Sequence, residues 1–368
     1  MEWQPEKLDD QAYLAAGDPS GLLPAVASSG AQVRTAYRSA VEASAGVVAA
    51  DGRPRAIVVA GMGASGIAGD VLAAVCGPGA PVPISTVRGY RLPGWVGAAD
   101  LVMAVSRNGD TEETLALAAE AARRGCRLLA VGGRSSPLAA LATQTGSPFV
   151  PVVPVGQQRT TLWSLAVPLI VAAASLGLAQ ADAGLFESVA KRLEEVAHRC
   201  RPSSESFINP GKTLAEELAE SIPMVWGTSQ LTMVAAYRLA CQLGENARYP
   251  ALWGEIPETG HNQIGALDGP LAQRDIFADS PSRSLRLVIL RDTEEHPAVA
   301  RRRQVSLRLA QDRGVPVSEI AAEGLHPLER LATLICLLDY AAVYLALGYG
   351  IDPAPVSAIT ELKTRIGQ

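Results

Sequence analysis

The chain has 368 residues, 48% hydrophobic and 19% charged, which excludes wholesale disorder and exceeds what one compact α/β unit ordinarily holds. Its net charge is −5, from 32 basic and 37 acidic residues with histidine neutral, and its best basic cluster, Arg301-Arg302-Arg303, reads as a solvated helix face. No nucleic-acid partner is therefore expected, and an anionic ligand would need local donors because the overall field mildly repels it.

The first residues, Met1-Glu2-Trp3-Gln4-Pro5-Glu6, have no basic and apolar leader pattern, so no signal peptide is expected. Residues 1–50 read as a helical segment packing on the core, broken at Asp18-Pro19-Ser20-Gly21. The apolar run 56–60 ends in Gly61 and predicts a buried strand feeding a tight turn, with a helix from about Gly66. Strands are expected at 83–87 and 101–105, then an alanine-rich amphipathic helix to Arg124, then strands at 127–131 and 149–153. Strands at this spacing, alternating with helices, predict a parallel sheet flanked by helices, an α/β unit over 51–180.

Residues 161–179 are nearly all apolar and about long enough to span a bilayer, but they are rich in alanine and contain Pro168. A second apolar run, 331–347, carries Asp339 in its middle. Both read as buried helices, and no membrane partner is expected. A helical connection over 181–211 leads to a second unit over 212–368, with strands at 223–227, 285–291 and 315–320 and helices at 230–243, 296–313 and 327–347. Two units of similar order suggest an internal duplication. Five widely spaced cysteines, never in a C-x-x-C arrangement, read as small core residues of a reducing, cytoplasmic protein.

Two loops carry the chemistry of binding. Gly61-Met62-Gly63-Ala64-Ser65-Gly66 lies between a strand and a helix, where backbone N–H groups and the helix dipole receive an anion and Ser65 adds a hydroxyl. The spacing also fits a dinucleotide fingerprint, which requires an acidic residue at the end of the next strand. That strand ends in Ser85, Thr86 and Arg88, which leaves only an NADP reading through Arg88. The second loop, Ser106-Arg107-Asn108-Gly109-Asp110-Thr111, also opens a helix and offers hydroxyls at both ends as a cup for phosphate oxygens. The plain alternative is a helix cap by Asp110 or Thr111.

With the following Gly69-Asp70 and Glu112-Glu113-Thr114-Leu115, these loops resemble the sugar-isomerase (SIS) fold, and more narrowly the bifunctional phosphoglucose/phosphomannose isomerases. The resemblance implies two SIS-type, flavodoxin-like domains and phosphate binding by Gly63, Ser65, Ser106, Asn108 and Thr111. Asn108 departs from the family, which has a serine there. Two further segments carry the likeness: Gly244-Glu245-Asn246-Ala247-Arg248, and Pro257-Glu258-Thr259-Gly260-His261-Asn262-Gln263-Ile264. They imply Glu245 as the base that moves a proton between C1 and C2, with His261 assisting ring opening. Arg159, in Gly156-Gln157-Gln158-Arg159-Thr160, would stabilise the enediolate, and Lys363, in Glu361-Leu362-Lys363-Thr364-Arg365, would help open the ring.

The resemblance also implies a hexose 6-phosphate substrate and a homodimer in which His261 serves the partner. No cofactor is expected. No metal is expected either, since no histidine, cysteine or carboxylate set has ligand spacing. Two other readings stay open: a sugar-phosphate-binding SIS module without turnover, and an isomerase of another phosphosugar.

Overall fold

The computed structural model describes residues 2–154, 156–272 and 284–367. In chain order the first elements are α1 (Gln11–Gly17), α2 (Leu22–Ala27), α3 (Ser29–Glu42), β1 (Ile57–Ala60), α4 (Ala64–Cys76), β2 (Ile84–Val87) and β3 (Leu101–Ser106). They are followed by α5 (Glu112–Arg123), β4 (Arg127–Gly132), α6 (Pro137–Thr145), β5 (Phe149–Pro151), α7 (Leu162–Ser175) and α8 (Ala183–Arg199). Next come α9 (Pro210–Leu218), β6 (Ser221–Gly227), α10 (Gln230–Gln242) and β7 (Leu252–Glu255). The chain closes with β8 (Ser284–Arg291), α11 (Pro297–Asp312), β9 (Val317–Ala321), α12 (Pro327–Gly348) and α13 (Ser357–Ile366).

Both sheets are parallel, in the orders β2-β1-β3-β4-β5 and β7-β6-β8-β9. Each is a doubly wound order whose direction of winding reverses once, between β1 and β3 and between β6 and β8. The crevice outside the carboxyl ends of such a strand pair is where ligands bind in open α/β sheets. Parallel strands covered on both faces need apolar side chains throughout, and β1 and β3 are buried at every position. That is why their uninterrupted apolar runs are readable in the sequence.

Several elements lie outside the expectations, among them β7, α6, α9 and α13. β7 is an edge strand with Leu252 and Trp253 exposed, and it contains Gly254, so it lacks the apolar run of a central strand. Its pairing with β6, from Met224↔Leu252 to Gly227↔Glu255, makes it a strand. Helix α6 starts at a Ser-Pro step, where the Ser136 hydroxyl accepts from the Ala139 N–H at 3.2 Å.

The chain forms two compact units, Ser28–Glu194 and Met1–Ala27 with Glu195–Gln368, called here the first and second unit. The first fifty residues are thus divided between them. In the second unit Leu8, Leu14, Leu22 and Leu23 are buried, the Gln4 N–H donates to Gly348 O at 3.0 Å, and the Tyr13 hydroxyl donates to Leu347 O at 3.1 Å. The Lys212 ammonium, fully buried, reaches Asp9 Oδ1 at 3.1 Å and two backbone carbonyls, Pro202 O at 2.9 Å and Ser204 O at 2.7 Å. Helix α12 is long and apolar enough to cross a membrane, but 94% of its apolar window is buried inside the protein, as a core helix requires.

Candidate active site

In the first unit, the loops after β1 and β3 flank the reversal point of the sheet. Gly63 caps α4 with φ of +52°, a backbone that favours glycine, and Ser65 sits in the first turn at 8% exposure. Arg88, at the end of β2, is ion-paired with Asp70 of α4.

The Ser106–Thr111 loop is built around one buried hydroxyl. Ser106 Oγ accepts from the Gly109 N–H at 3.1 Å and shares a hydrogen bond with Thr111 Oγ1 at 2.9 Å. Thr111 occupies the cap position of α5, yet its side chain bonds Ser106 and caps no N–H of the helix. The first turn of α5 therefore keeps its donors for another acceptor, and the two hydroxyls converge where the sequence places a phosphate cup.

Gly109 closes this loop at φ of +77°, and a Cβ there would stand 2.1 Å from Ser136 Oγ, the hydroxyl that caps α6. Gly109→Ala is expected to lose roughly 1–3 kcal/mol from backbone strain alone, and more from the clash. Gly146→Ala is the control, since Gly146 is also left-handed at φ of +64° but has nothing within 4 Å. Denaturant midpoints of the two variants check this, and equal losses would mean that the Gly109 loop is not packed as described.

Asn108 is exposed, and its Oδ1 accepts from Arg107 NH1 at 3.2 Å. Arg107 NH2 in turn donates to Gly156 O at 2.9 Å, and burial holds its guanidinium below the usual range. Arg159 is half-buried in a 3₁₀ turn, Gln158–Thr160, just ahead of α7. That turn is held by the Gln32 amide of α3, which donates to Thr160 O at 2.9 Å.

In the second unit, α10 runs directly into a single π turn, Leu243–Ala247, which carries the half-buried Glu245. Such turns insert one residue into a helix and concentrate at functional sites. Beneath it lies a chain of buried polar groups. Asn246 Nδ2 donates to Gln242 Oε1 at 3.1 Å, and Gln242 hydrogen-bonds Asp339. Asp339 is also gripped by Arg238, at 2.9 Å from Nε and 2.6 Å from NH2. Arg248, which ends the turn at φ of +54°, donates to Asn246 O, Asp352 O and Pro355 O, tying it to the stretch ahead of α13.

His261 ends a 3₁₀ turn, Glu258–His261, and is exposed. Lys363 is exposed on α13, none of whose residues is buried. The first unit therefore holds Gly63, Ser65, Ser106, Asn108, Thr111 and Arg159, and the second holds Glu245, His261 and Lys363.

Residues 207–366 match the model of a bacterial phospho-glucose isomerase C-terminal SIS domain. A bifunctional phosphoglucose/phosphomannose isomerase from Caldicellulosiruptor bescii is 30% identical over 339 residues, covering 92% of this chain and 96% of that protein. The chain belongs to the bifunctional phosphoglucose/phosphomannose isomerase family. The relative of that name from Aquifex aeolicus is 29% identical, over 85% of this chain and 90% of its own. Among solved structures, a hypothetical protein from Thermus thermophilus is similar in fold, with a TM-score of 0.72 at 14% identity, covering 98% of this chain and 94% of its own. Tagatose-6-phosphate ketose/aldose isomerase from Escherichia coli gives 0.67 at 15% identity, covering 90% and 94%.

Two sets of side chains support the candidate site residues. Gln263 fastens the His261 loop to the sheet: its Nε2 donates to Trp253 O at 2.9 Å and its Oε1 accepts from the Trp226 indole at 2.7 Å. The Arg238–Asp339–Gln242 chain supports the Glu245 turn in the same way. Gln263 is visible as part of a motif. Arg238 and Asp339 are 101 residues apart and carry only one signal, a carboxylate in the middle of an apolar run. Burial pushes the Cys76 thiol up to about 11 and Cys200 up to about 12, which keeps both protonated and unreactive. Cys200 and Cys336 are buried as expected of core residues, whereas Cys76, Cys126 and Cys241 are half-buried.

Proposed function

We propose that this chain, a sugar-phosphate isomerase by family, interconverts fructose 6-phosphate with glucose 6-phosphate and also with mannose 6-phosphate. The observation that carries the phosphate part is the meeting of the Ser106 and Thr111 hydroxyls at 2.9 Å beside the uncapped start of α5. Gly63 and Ser65 contribute the N–H groups and hydroxyl of the neighbouring loop. Asn108 takes the place of the family's serine: with Oδ1 engaged by Arg107, its Nδ2 is the group left to donate to an anion.

In this reading His261 and Lys363 assist ring opening. The Glu245 carboxylate then removes a proton from one of C1 and C2 and returns it to the other through a cis-enediolate, while Arg159 holds the developing negative charge. The two aldoses differ only at C2, so a base that reaches C2 after a small rotation of the open chain serves both. No metal takes part, and no cofactor is needed. The exposure of His261 suits the further proposal of a homodimer in which it serves the partner subunit's site.

The test is a coupled assay with the three hexose 6-phosphates, run after exhaustive dialysis against a chelator. Turnover among all three is expected. Binding of fructose 6-phosphate without turnover would make the chain a sugar-phosphate-binding module instead. Activity lost to the chelator and restored by zinc would remove the metal-free chemistry.

A further inference from the structure

We infer that the second unit contains a counterpart of the first unit's anion crevice, and that it is filled by the chain's own carboxylate, Asp292. Corresponding positions follow from strand register. In the first sheet the last residue of β1 pairs as Ala60↔Ala104, and Ser106 stands two residues beyond Ala104. In the second sheet the last residue of β6 pairs as Gly227↔Leu290, and Asp292 stands two residues beyond Leu290. Ser106 and Asp292 thus occupy the same place at the reversal point of their sheets.

What surrounds Asp292 is the donor set that an oxoanion takes. Ser229, the cap of α10, donates its hydroxyl to Asp292 Oδ2 at 2.7 Å. The Glu294 N–H lies 3.4 Å from Oδ1. Arg330 Nε stands 2.9 Å from Oδ1, a contact of charges without hydrogen-bond alignment. The side chains of Arg330 and Asp292 are each only 3% exposed. Arg330 also pairs with Glu294 Oε2 at 2.9 Å and donates to Leu325 O at 2.8 Å. The Asp292 N–H itself donates to Thr228 Oγ1 at 2.9 Å, so the loops after β6 and β8 are closed on each other.

A carboxylate held in this position by its own backbone has its translational and rotational freedom already removed, so it outcompetes free anions. The second unit is therefore sealed, and each chain takes one oxoanion where its topology provides for two. Equating the crevice with a phosphate site rests on the function proposed for the Ser106 loop.

Asp292→Ser tests this by giving the second unit the residue type of the first. Calorimetric titration with inorganic phosphate is expected to show one more phosphate bound per chain than in the wild type. The wild-type stoichiometry reports the first unit, and so tests that reading separately. A folded Asp292→Ser protein with unchanged stoichiometry overturns the inference. If that variant does not fold, Asp292→Asn serves: phosphate should raise its Tm more than chloride of equal ionic strength does, and more than it raises the wild-type Tm. Equal shifts in variant and wild type overturn it.

Discussion

Glu245→Gln is expected to lower kcat for fructose 6-phosphate by about 10²–10⁴-fold, the contribution typical of general acid–base catalysis, with KM little changed. Glutamine keeps the size and hydrogen-bonding reach of the side chain but cannot carry a proton between two carbons. Hydrogen bonds of Asn246, Gln242 and Arg248 hold the π turn that presents Glu245, and glutamine keeps its shape. Thermal stability should therefore stay close to wild type. A rise in KM at constant kcat would instead mean that Glu245 contributes binding common to ground and transition states, and the proton-shuttle role would fall.

The largest effect on stability is expected from Arg238→Met, a loss of roughly 3–5 kcal/mol, because it leaves a buried carboxylate without its cation. Asp339 is surrounded by the apolar residues of α12, and burial pushes its carboxyl up while Arg238 and Gln242 pull against that rise. Removing both charges together, as Arg238→Met with Asp339→Leu, should recover most of the loss, since a well-packed apolar pair can replace a buried ion pair at little cost. Denaturant titration of the wild type, the single variant and the double variant measures this. A double variant as unstable as the single one would locate the damage elsewhere.

The pH dependence follows from the same carboxyl. In Arg238→Met the folded-state pKa of Asp339 rises further above its unfolded value, so the folded state holds the extra proton between the two. Stability of the variant relative to wild type should therefore recover as pH falls toward the ordinary carboxylate range and worsen as pH rises through the folded value. Because Gln242 links Asp339 to Asn246, the single variant should also lose turnover at temperatures where it remains folded.

What can be read from the sequence follows the physics of burial. Central parallel strands announce themselves as apolar runs, so β1, β3 and the 287–290 stretch of β8 are legible, while the exposed edge strand β7 is not. The Ser106 loop is legible as a cup, but capping by Thr111 is an equally good local reading. The hydrogen bond between Ser106 Oγ and Thr111 Oγ1 shows that the Thr111 side chain does not cap the helix. Which half takes up residues 1–27 depends on contacts such as those with the C-terminal end of α12, more than 300 residues away, and no local pattern encodes that. Asp292 is silent for a related reason: one aspartate after a strand is ordinary until Ser229 and Arg330 are found around it.

The most direct test of the central claim is turnover of fructose 6-phosphate in deuterated water, with NMR of the products. Proton transfer through Glu245, whose carboxyl proton exchanges with solvent in part before it is returned, predicts partial deuterium at C2 of glucose 6-phosphate and mannose 6-phosphate, with labelling and turnover suppressed together in Glu245→Gln. Turnover and labelling at the wild-type level in Glu245→Gln would contradict it.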